Sequence, residues 1–463
     1  MKKKILILIN SELYVRNYLK TNIFEVLNRN YEIFFLANNE IKNRILLKKQ
    51  KNFKGFYSFS QKENIKTNRI MNVSMWRYRS RSKSFLYRVK WFSEINFFEI
   101  FKKPSLKLII FKFLKIISVL KFNILIRVMG NKFIFPIFKK FYIDKMSVSK
   151  KLEGKIIKIK PDLIIYPTQS QSKADYDLVK ICKEKKIKSF FLIDNWDNLS
   201  DKSIMIDKPD VVGVWGEQTK KHAINIQKFK RNQVHPIGTP RFEVYFKQRF
   251  KEVKNFFNFK YILFLGTALE FDEFKIVNKI SEILKNNKEF KKIKLVYRPH
   301  PWRMSKHEIN FSNLDNVILD PQIAKIYFKK KIDLSFQPDL NYYPSLIKNS
   351  EFVIGGLTSM IIESMIMYKK YLITALPEKK FNNQYNSSNY HTHFKELKYS
   401  KNVQFCYSFE NLEKFFFILW KNRVVNDFKK VDKERNYYLH NDNDNYSKRI
   451  LKIVNNILNN ENY

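Results

Sequence analysis

Cysteine is nearly absent from this 463-residue chain. The two that occur, Cys182 and Cys406, lie far apart and outside any CxxC spacing, so neither a disulfide framework nor a cysteine zinc site follows. Long apolar runs are missing as well, and no uncharged stretch approaches the roughly 18 residues that a membrane-spanning helix needs. The N-terminus, Met1-Lys-Lys-Lys-Ile-Leu-Ile-Leu-Ile-Asn10, has an apolar run too short for a signal-peptide core. It reads as the first buried strand of a sheet, with the cytoplasm as the expected compartment. There is no GxGxxG, no internal repeat and no convincing Asp-x-Asp between strands. Acidic residues are few, 43 against 88 Lys and Arg, for a formal net charge of +45. Lys and Asn are spread along the whole chain beside heavy use of Ile and Phe, as a low-GC coding bias produces. The charge therefore marks a general field that draws anions (nucleotide sugars, acidic lipid headgroups, nucleic acid) more than a specific site.

Hydrophobic residues make up 44% of the chain, and its length suits two domains with sizeable cores. Apolar strands at 5–9 and 31–36 flank a helix-like segment at 15–27, a strand-helix-strand opening of Rossmann type. From about 50 to 150 the pattern loosens and clear strands disappear. Between Phe101 and Phe141 lie ten basic residues and no acidic one, interleaved with Leu, Ile and Phe. Such a segment suits either the surface of an anionic bilayer or buried helices with solvated lysines. Trp76-Arg-Tyr-Arg-Ser-Arg81 mixes aromatics with arginines, as single-strand binders do, but is short and isolated. Regular alternation returns at Pro161, with strands at 163–166, 189–193, 210–215 and 234–237, the spacing of a parallel sheet. A linker is expected at 255–261. Further strands at 261–265 and 294–297 and near Val317 follow it, with helices at 273–284 and 343–348. Residues 409–420 and 446–458 read as amphipathic helices, and His391-Thr-His393 as a surface loop.

The most informative stretch runs from Asn349 to Pro377 and parses as strand, turn, helix, strand. Gly355-Gly356 permit a turn that side chains would block, and Thr358-Ser359 sit where a helix begins, an arrangement that can hold phosphate oxygens. Glu363, one helical turn on, is spaced to accept from a ribose hydroxyl. An ordinary strand-helix turn with a hydroxyl cap is the alternative. A second stretch, Lys294-Leu-Val-Tyr-Arg-Pro-His-Pro-Trp-Arg303, ends a strand in a rigid Pro-His-Pro turn. It holds His300, flanked by Arg298 and Arg303, at the carboxyl edge where open α/β sheets bind ligands. Gly266-Thr267 forms another small turn at the end of a strand.

These motifs resemble the GT-B glycosyltransferases, in particular bacterial surface-polysaccharide enzymes related to the CDP-glycerol glycerophosphotransferases. The resemblance rests on Arg298-Pro-His-Pro301, on Gly355-Gly-Leu-Thr-Ser359 with Glu363 after it, and in the N-terminal half on Asp194-Asn-Trp-Asp-Asn-Leu-Ser200, Val214-Trp-Gly-Glu217 and Pro236-Ile-Gly-Thr-Pro-Arg-Phe242. It covers roughly Pro161 to Pro377. Where the teichoic-acid members have Asp-Tyr-Ser-Ser, this chain has Gly-Leu-Thr-Ser359.

The resemblance implies an α/β architecture of two Rossmann-type domains facing a cleft, with C-terminal helices packing back across it. Residues 1–255 would form the acceptor side, with a basic helical insertion at about 50–150. Residues 256–405 would form the nucleotide-donor domain, and 406–463 the terminal helices. The implied reaction moves a sugar from a nucleotide-activated donor to a surface-glycan or lipid-linked acceptor, without a metal and with inversion. Protein cations and hydroxyls (Arg298, His300, Arg303, Thr358, Ser359) would stabilise the leaving phosphate, with Gly266, Thr267, Gly355, Gly356 and Glu363 shaping the donor site. Asp197, Asp194 or Glu12 would be the base. No cofactor is expected beyond a nucleotide sugar or CDP-alditol as co-substrate, and peripheral contact with the inner membrane face is a possible partner interaction. Glycerophosphate transfer from CDP-glycerol and nucleotide-sugar 2-epimerisation are the alternatives on the same fold. A basic membrane- or RNA-binding protein is the non-enzymatic one.

Overall fold

The computed structural model describes residues 2–42, 44–92, 106–269, 271–301, 314–327, 339–442 and 444–459. Two parallel sheets organise the chain. The first contains β1 (Lys4–Ile9), β2 (Glu32–Asn38), β3 (Phe53–Tyr57), β4 (Leu163–Thr168), β5 (Lys188–Ile193), β6 (Val211–Val214) and β7 (Val234–Pro236), in the order β3-β2-β1-β4-β5-β6-β7. The second contains β8 (Lys260–Leu265), β9 (Ile293–Arg298), β10 (Val317–Leu319), β11 (Val353–Gly355), β12 (Tyr371–Thr374) and β13 (Val403–Cys406), in the order β10-β9-β8-β11-β12-β13.

Continuous apolar runs become strands here because both faces of each sheet are covered. Ile5, Ile7 and Ile9 enter the core on one face of β1, while Leu6 and Leu8 enter the core on the other. β8 divides in the same way, Tyr261, Leu263 and Leu265 against Ile262 and Phe264. Complete burial of each such side chain contributes about 1.5–3 kcal/mol. Strand order reverses between β1 and β4 and again between β8 and β11. Loops diverge at such switch points and leave a crevice at the carboxyl edge.

The first segment differs from expectation at two places. The helix expected over 15–27 is broken into short turns, Glu12–Tyr14, Val15–Leu19 and Glu25–Arg29, because Asn22 adopts a left-handed conformation (φ 54°). A strand the pattern did not reveal, β3, pairs with β2 through an irregular register, with Gly55 at φ 96° breaking its alternation.

The segment after β3 is a helical insertion, with helices Gln61–Arg77, Lys83–Phe92 and Leu106–Met129 among others. Ile70, Val73, Val89, Ile126, Phe135 and Phe138 form its own core. In the Trp76–Arg81 motif the arginines stack on their own aromatics, Arg79 4.3 Å from the Trp76 ring and Arg81 3.9 Å from Tyr78.

Of the two C-terminal helices expected to cross back, only the last does. Tyr446–Asn459 sends Ile450, Ile453, Val454 and Ile457 into the core under β1 and β4, and Tyr31 Oη donates to Asn455 Oδ1 at 2.7 Å. Leu412–Lys421 stays on the second sheet, where Leu412, Phe416 and Trp420 meet Phe290 and Phe352. The His391-Thr-His393 segment is not a surface loop. Thr392 bonds Ser82 and Ser84 of the insertion, Tyr87 stacks on Tyr390 at 5.2 Å, and His393 is buried against Trp196.

Candidate functional site

A cavity of about 600 Å³ opens between the two sheets, lined by the loops at their carboxyl edges. From the first sheet come Ser11, Glu12 and Arg16 after β1, Gln169 after β4, Asn195 after β5, and Arg241 and Tyr245 after β7. From the second come Arg298 at the end of β9, His300 and Pro301 after it, Thr358, Ser359 and Glu363 after β11, and Tyr343 from the helix Tyr342–Lys348.

Each wall has its own electrostatic support. Arg298 is buried and donates through Nε to Tyr343 Oη at 3.1 Å. Burial works against its charge, but Tyr343, Asp320 and Glu363 outweigh that and hold its pKa above the usual arginine value. Glu363, also buried, accepts from Tyr245 Oη, a contact that joins the segment after β7 to the helix after β11. Burial and then the Glu363 charge push the Tyr245 hydroxyl well above its ordinary pKa, so it stays a donor. Arg16 is lowered to about 10 by burial and by its neighbour Arg241, and it remains a cation at neutral pH.

Comparison with solved structures gives whole-chain matches at low identity. A UDP-N-acetylglucosamine 2-epimerase superposes with a TM-score of 0.53 at 11% identity, covering 100% of this chain and 98% of that one. The Neisseria meningitidis UDP-GlcNAc 2-epimerase bound to UDP-GlcNAc gives 0.50 at 13%, covering 97% and 99%. MnaA of S. aureus, solved with UDP, gives 0.50 at 12%, covering 99% and 97%. No protein-family model and no curated protein matches the sequence. The fold is GT-B.

Within this GT-B frame the expected site residues divide. Glu12, Arg298, His300, Thr358, Ser359 and Glu363 line the one cavity. Arg303 lies outside the described residues. Asp194 does not line the cavity. It is fully buried, accepts from Asn17 Nδ2 at 3.0 Å, and has its pKa raised by burial against the pull of Arg241. Asp197 points elsewhere, pairing with Lys202 at 3.2 Å. Trp196, inside the Asp194–Ser200 motif, is buried and donates to Gln218. The loop after β5 turns its single-residue alternation so that Asn195, between Asp194 and Trp196, reaches the cavity instead.

The glycine turns are occupied by protein. A Cβ on Gly356 would lie 2.9 Å from Gln384 Nε2, and Gln384 also accepts from Leu357 N at 2.8 Å and donates to Thr267 Oγ1 at 2.9 Å. The phosphate-sized gap expected there is thus filled by an amide side chain, and the Leu357 N–H is already used. A Cβ on Gly355 would come within 2.3 Å of the Leu265 carbonyl oxygen, so this glycine permits close strand packing. Gly266 leaves room for the Glu273 carboxylate, which accepts from Thr267 N at 3.2 Å and Tyr297 Oη at 2.7 Å. Neither Gly266 nor Thr267 lines the cavity, whereas the side chains of Arg298, His300, Thr358 and Ser359 do.

Sequence reasoning assigned no role to Arg16, Gln169, Asn195, Arg241 or Tyr245. Arg241 lies inside the Pro236–Phe242 motif and Asn195 inside the Asp194–Ser200 motif, so the motifs located the loops without telling which side chain faces inward. Among the described residues no group of three or more His, Cys, Asp or Glu side chains is placed to hold a metal ion.

Proposed function

We propose that this chain is an enzyme that binds a nucleotide-activated sugar across the cavity and breaks the bond between the sugar and the nucleotide phosphate. The observation that carries the reading is the meeting of His300, Arg298, Thr358 and Ser359 on one wall of a cavity between two carboxyl edges. As that bond breaks, negative charge grows on the departing phosphate, and donors already in place stabilise it without reorganisation. Glu363 would take a ribose hydroxyl, and Glu12 is the base candidate that lines the cavity.

Two fates of the sugar share this step. Two of the structural neighbours, both UDP-GlcNAc 2-epimerases and one of them bound to UDP-GlcNAc, favour 2-epimerisation. Transfer to an acceptor is the other fate, and the cations Arg16 and Arg241 on the opposite wall leave that side of the cavity suited to an anionic molecule. Incubation with UDP-, CDP- and GDP-sugars and with CDP-glycerol, followed by NMR of the products, separates the possibilities. A 2-epimer formed without acceptor indicates epimerisation, and consumption that requires an acceptor indicates transfer. Absence of both, with no saturable nucleotide binding, overturns the proposal.

We further infer that the insertion meets an anionic membrane. Ile124 and Val128 of the helix Leu106–Met129, with Phe133, Ile137 and Phe141 beyond it, are exposed beside Lys121, Lys132 and Lys140. Apolar groups in the interface with lysines at its edge suit a bilayer surface. Among the described residues no helix is long and apolar enough to cross a membrane.

A further inference from the structure

Arg241 is 8% exposed, lines the cavity, and leaves Nε and Nη2 without a hydrogen-bond partner among the described residues. Its one polar contact is a long one, Nη1 to Asn195 Oδ1 at 3.5 Å, and its guanidinium is held in place over the Trp215 and Phe242 rings at 4.7 and 4.5 Å. Arg16 lines the same wall from the loop after β1, with Nε on Asn17 Oδ1 at 3.0 Å. The two cations repel one another. Asp194, which attracts both arginines, is buried with its own bond to Asn17 and among the described residues makes no ion pair with either. A buried guanidinium with unused donors is costly unless an acceptor arrives to take them. The arrangement matches an oxyanion, two of whose oxygens a guanidinium fork holds through paired hydrogen bonds.

We propose that Arg16 and Arg241 form a second anion site, on the wall facing His300 and Thr358, which holds a phosphate or carboxylate group of the acceptor. The proposal rests on the transfer reading. It makes the acceptor an anionic molecule, either a phosphate-bearing lipid or alditol or an acidic sugar. Asn195 and Gln169, neutral and on the same wall, can bond the remaining acceptor hydroxyls without opposing its charge.

The test is isothermal titration with inorganic phosphate and, separately, with glucuronate into protein saturated with UDP, for wild type, Arg241→Gln and Arg241→Lys. One of the two anions should bind the wild-type complex, and its identity separates a phosphate acceptor from a carboxylate one. Arg241→Gln should weaken that binding on the order of 10- to 100-fold while changing the UDP Kd less than about threefold. Arg241→Lys, which keeps the charge and loses the planar fork, should fall between, and it guards against a Gln variant that misfolds. Failure of both anions to bind overturns the proposal. So does a tenfold loss of UDP affinity in Arg241→Gln, which would assign the pair to the nucleotide diphosphate. Should UDP not bind the wild-type protein, the nucleotide reading falls by itself. The same titrations without UDP then decide the arginine pair, Arg241-dependent binding supporting it and no binding overturning it.

Discussion

The Tyr245–Glu363 contact offers the sharpest test of how the site is built. Tyr245 is 3% exposed and Glu363 8%, so a lost partner can be replaced only by water held in the cavity. Tyr245→Phe removes only the donor. The ring keeps its edge-on packing against Phe242, with centroids 5.6 Å apart, and little cavity is made. A hydrogen bond to a charged acceptor contributes about 1.5–3 kcal/mol, and its loss leaves the carboxylate short of one donor. Urea denaturation should therefore show a loss of about 1.5–3 kcal/mol with an unchanged m-value. A double-mutant cycle with Glu363→Ala, which removes the acceptor, should give a coupling of about 1 kcal/mol or more, since the two changes remove the same interaction. Nucleotide binding supplies a second reading of the same pair. If a ribose hydroxyl donates to Glu363, it restores what Tyr245→Phe took away, so UDP should raise the melting temperature of the variant more than that of the wild type. Additive single-mutant effects would show that the pair is not coupled. A smaller UDP-induced shift in the variant would refute the ribose role.

Four other outcomes are expected. His300→Ala should lower kcat by about 10² to 10³ with little change in donor KM, whereas Glu363→Gln should act on KM, because a ribose hydroxyl does not change charge during reaction. Normal turnover of His300→Ala at saturating donor would remove His300 from the leaving-group role. Gly355→Ala should cost about 1–3 kcal/mol or more, since its Cβ meets a backbone oxygen, and Gly356→Ala should cost less because Gln384 can move, as thermal unfolding will report. His222, lowered to about 3 by burial, and His393, lowered to about 4 by burial, stay neutral in the fold while their unfolded forms protonate near pH 6.5. The unfolded state then binds more protons, so each group costs up to about 1.4 kcal/mol per pH unit between about pH 6.5 and 4, and stability should fall as pH falls. A His222→Gln variant with the same slope would contradict this. Liposome flotation should recover the protein with anionic but not neutral vesicles, in a salt-sensitive way, and Ile124→Asp with Phe133→Asp should abolish recovery; equal recovery on both vesicle types would exclude the membrane face.

Much of the sheet framework was legible in the chain itself, for a physical reason. Strands covered on both faces must be apolar at every position, so 5–9, 163–166, 189–193 and 261–265 stand out without any partner being known. The Pro-His-Pro turn was legible as well, because prolines restrict the backbone locally and leave His300 at a strand end wherever the sheet lies. The short edge strand β3 was not, since its Lys54 and Gly55 carry no alternation and its pairing depends on β2. What faces the cavity was decided by tertiary structure alone. Whether Asp194, Asn195 or Trp196 points inward depends on how one tight loop leaves β5, a rotation that residue type does not encode. Gly356 and Gln384 lie 28 positions apart, and only folding brings the amide into the space the glycine leaves. Arg16 and Arg241 are separated by most of the first sheet, and their shared wall exists only because β1 and β7 end at the same edge. Local sequence determines which segments must be buried, whereas the approach of distant loops determines which polar groups are left without partners.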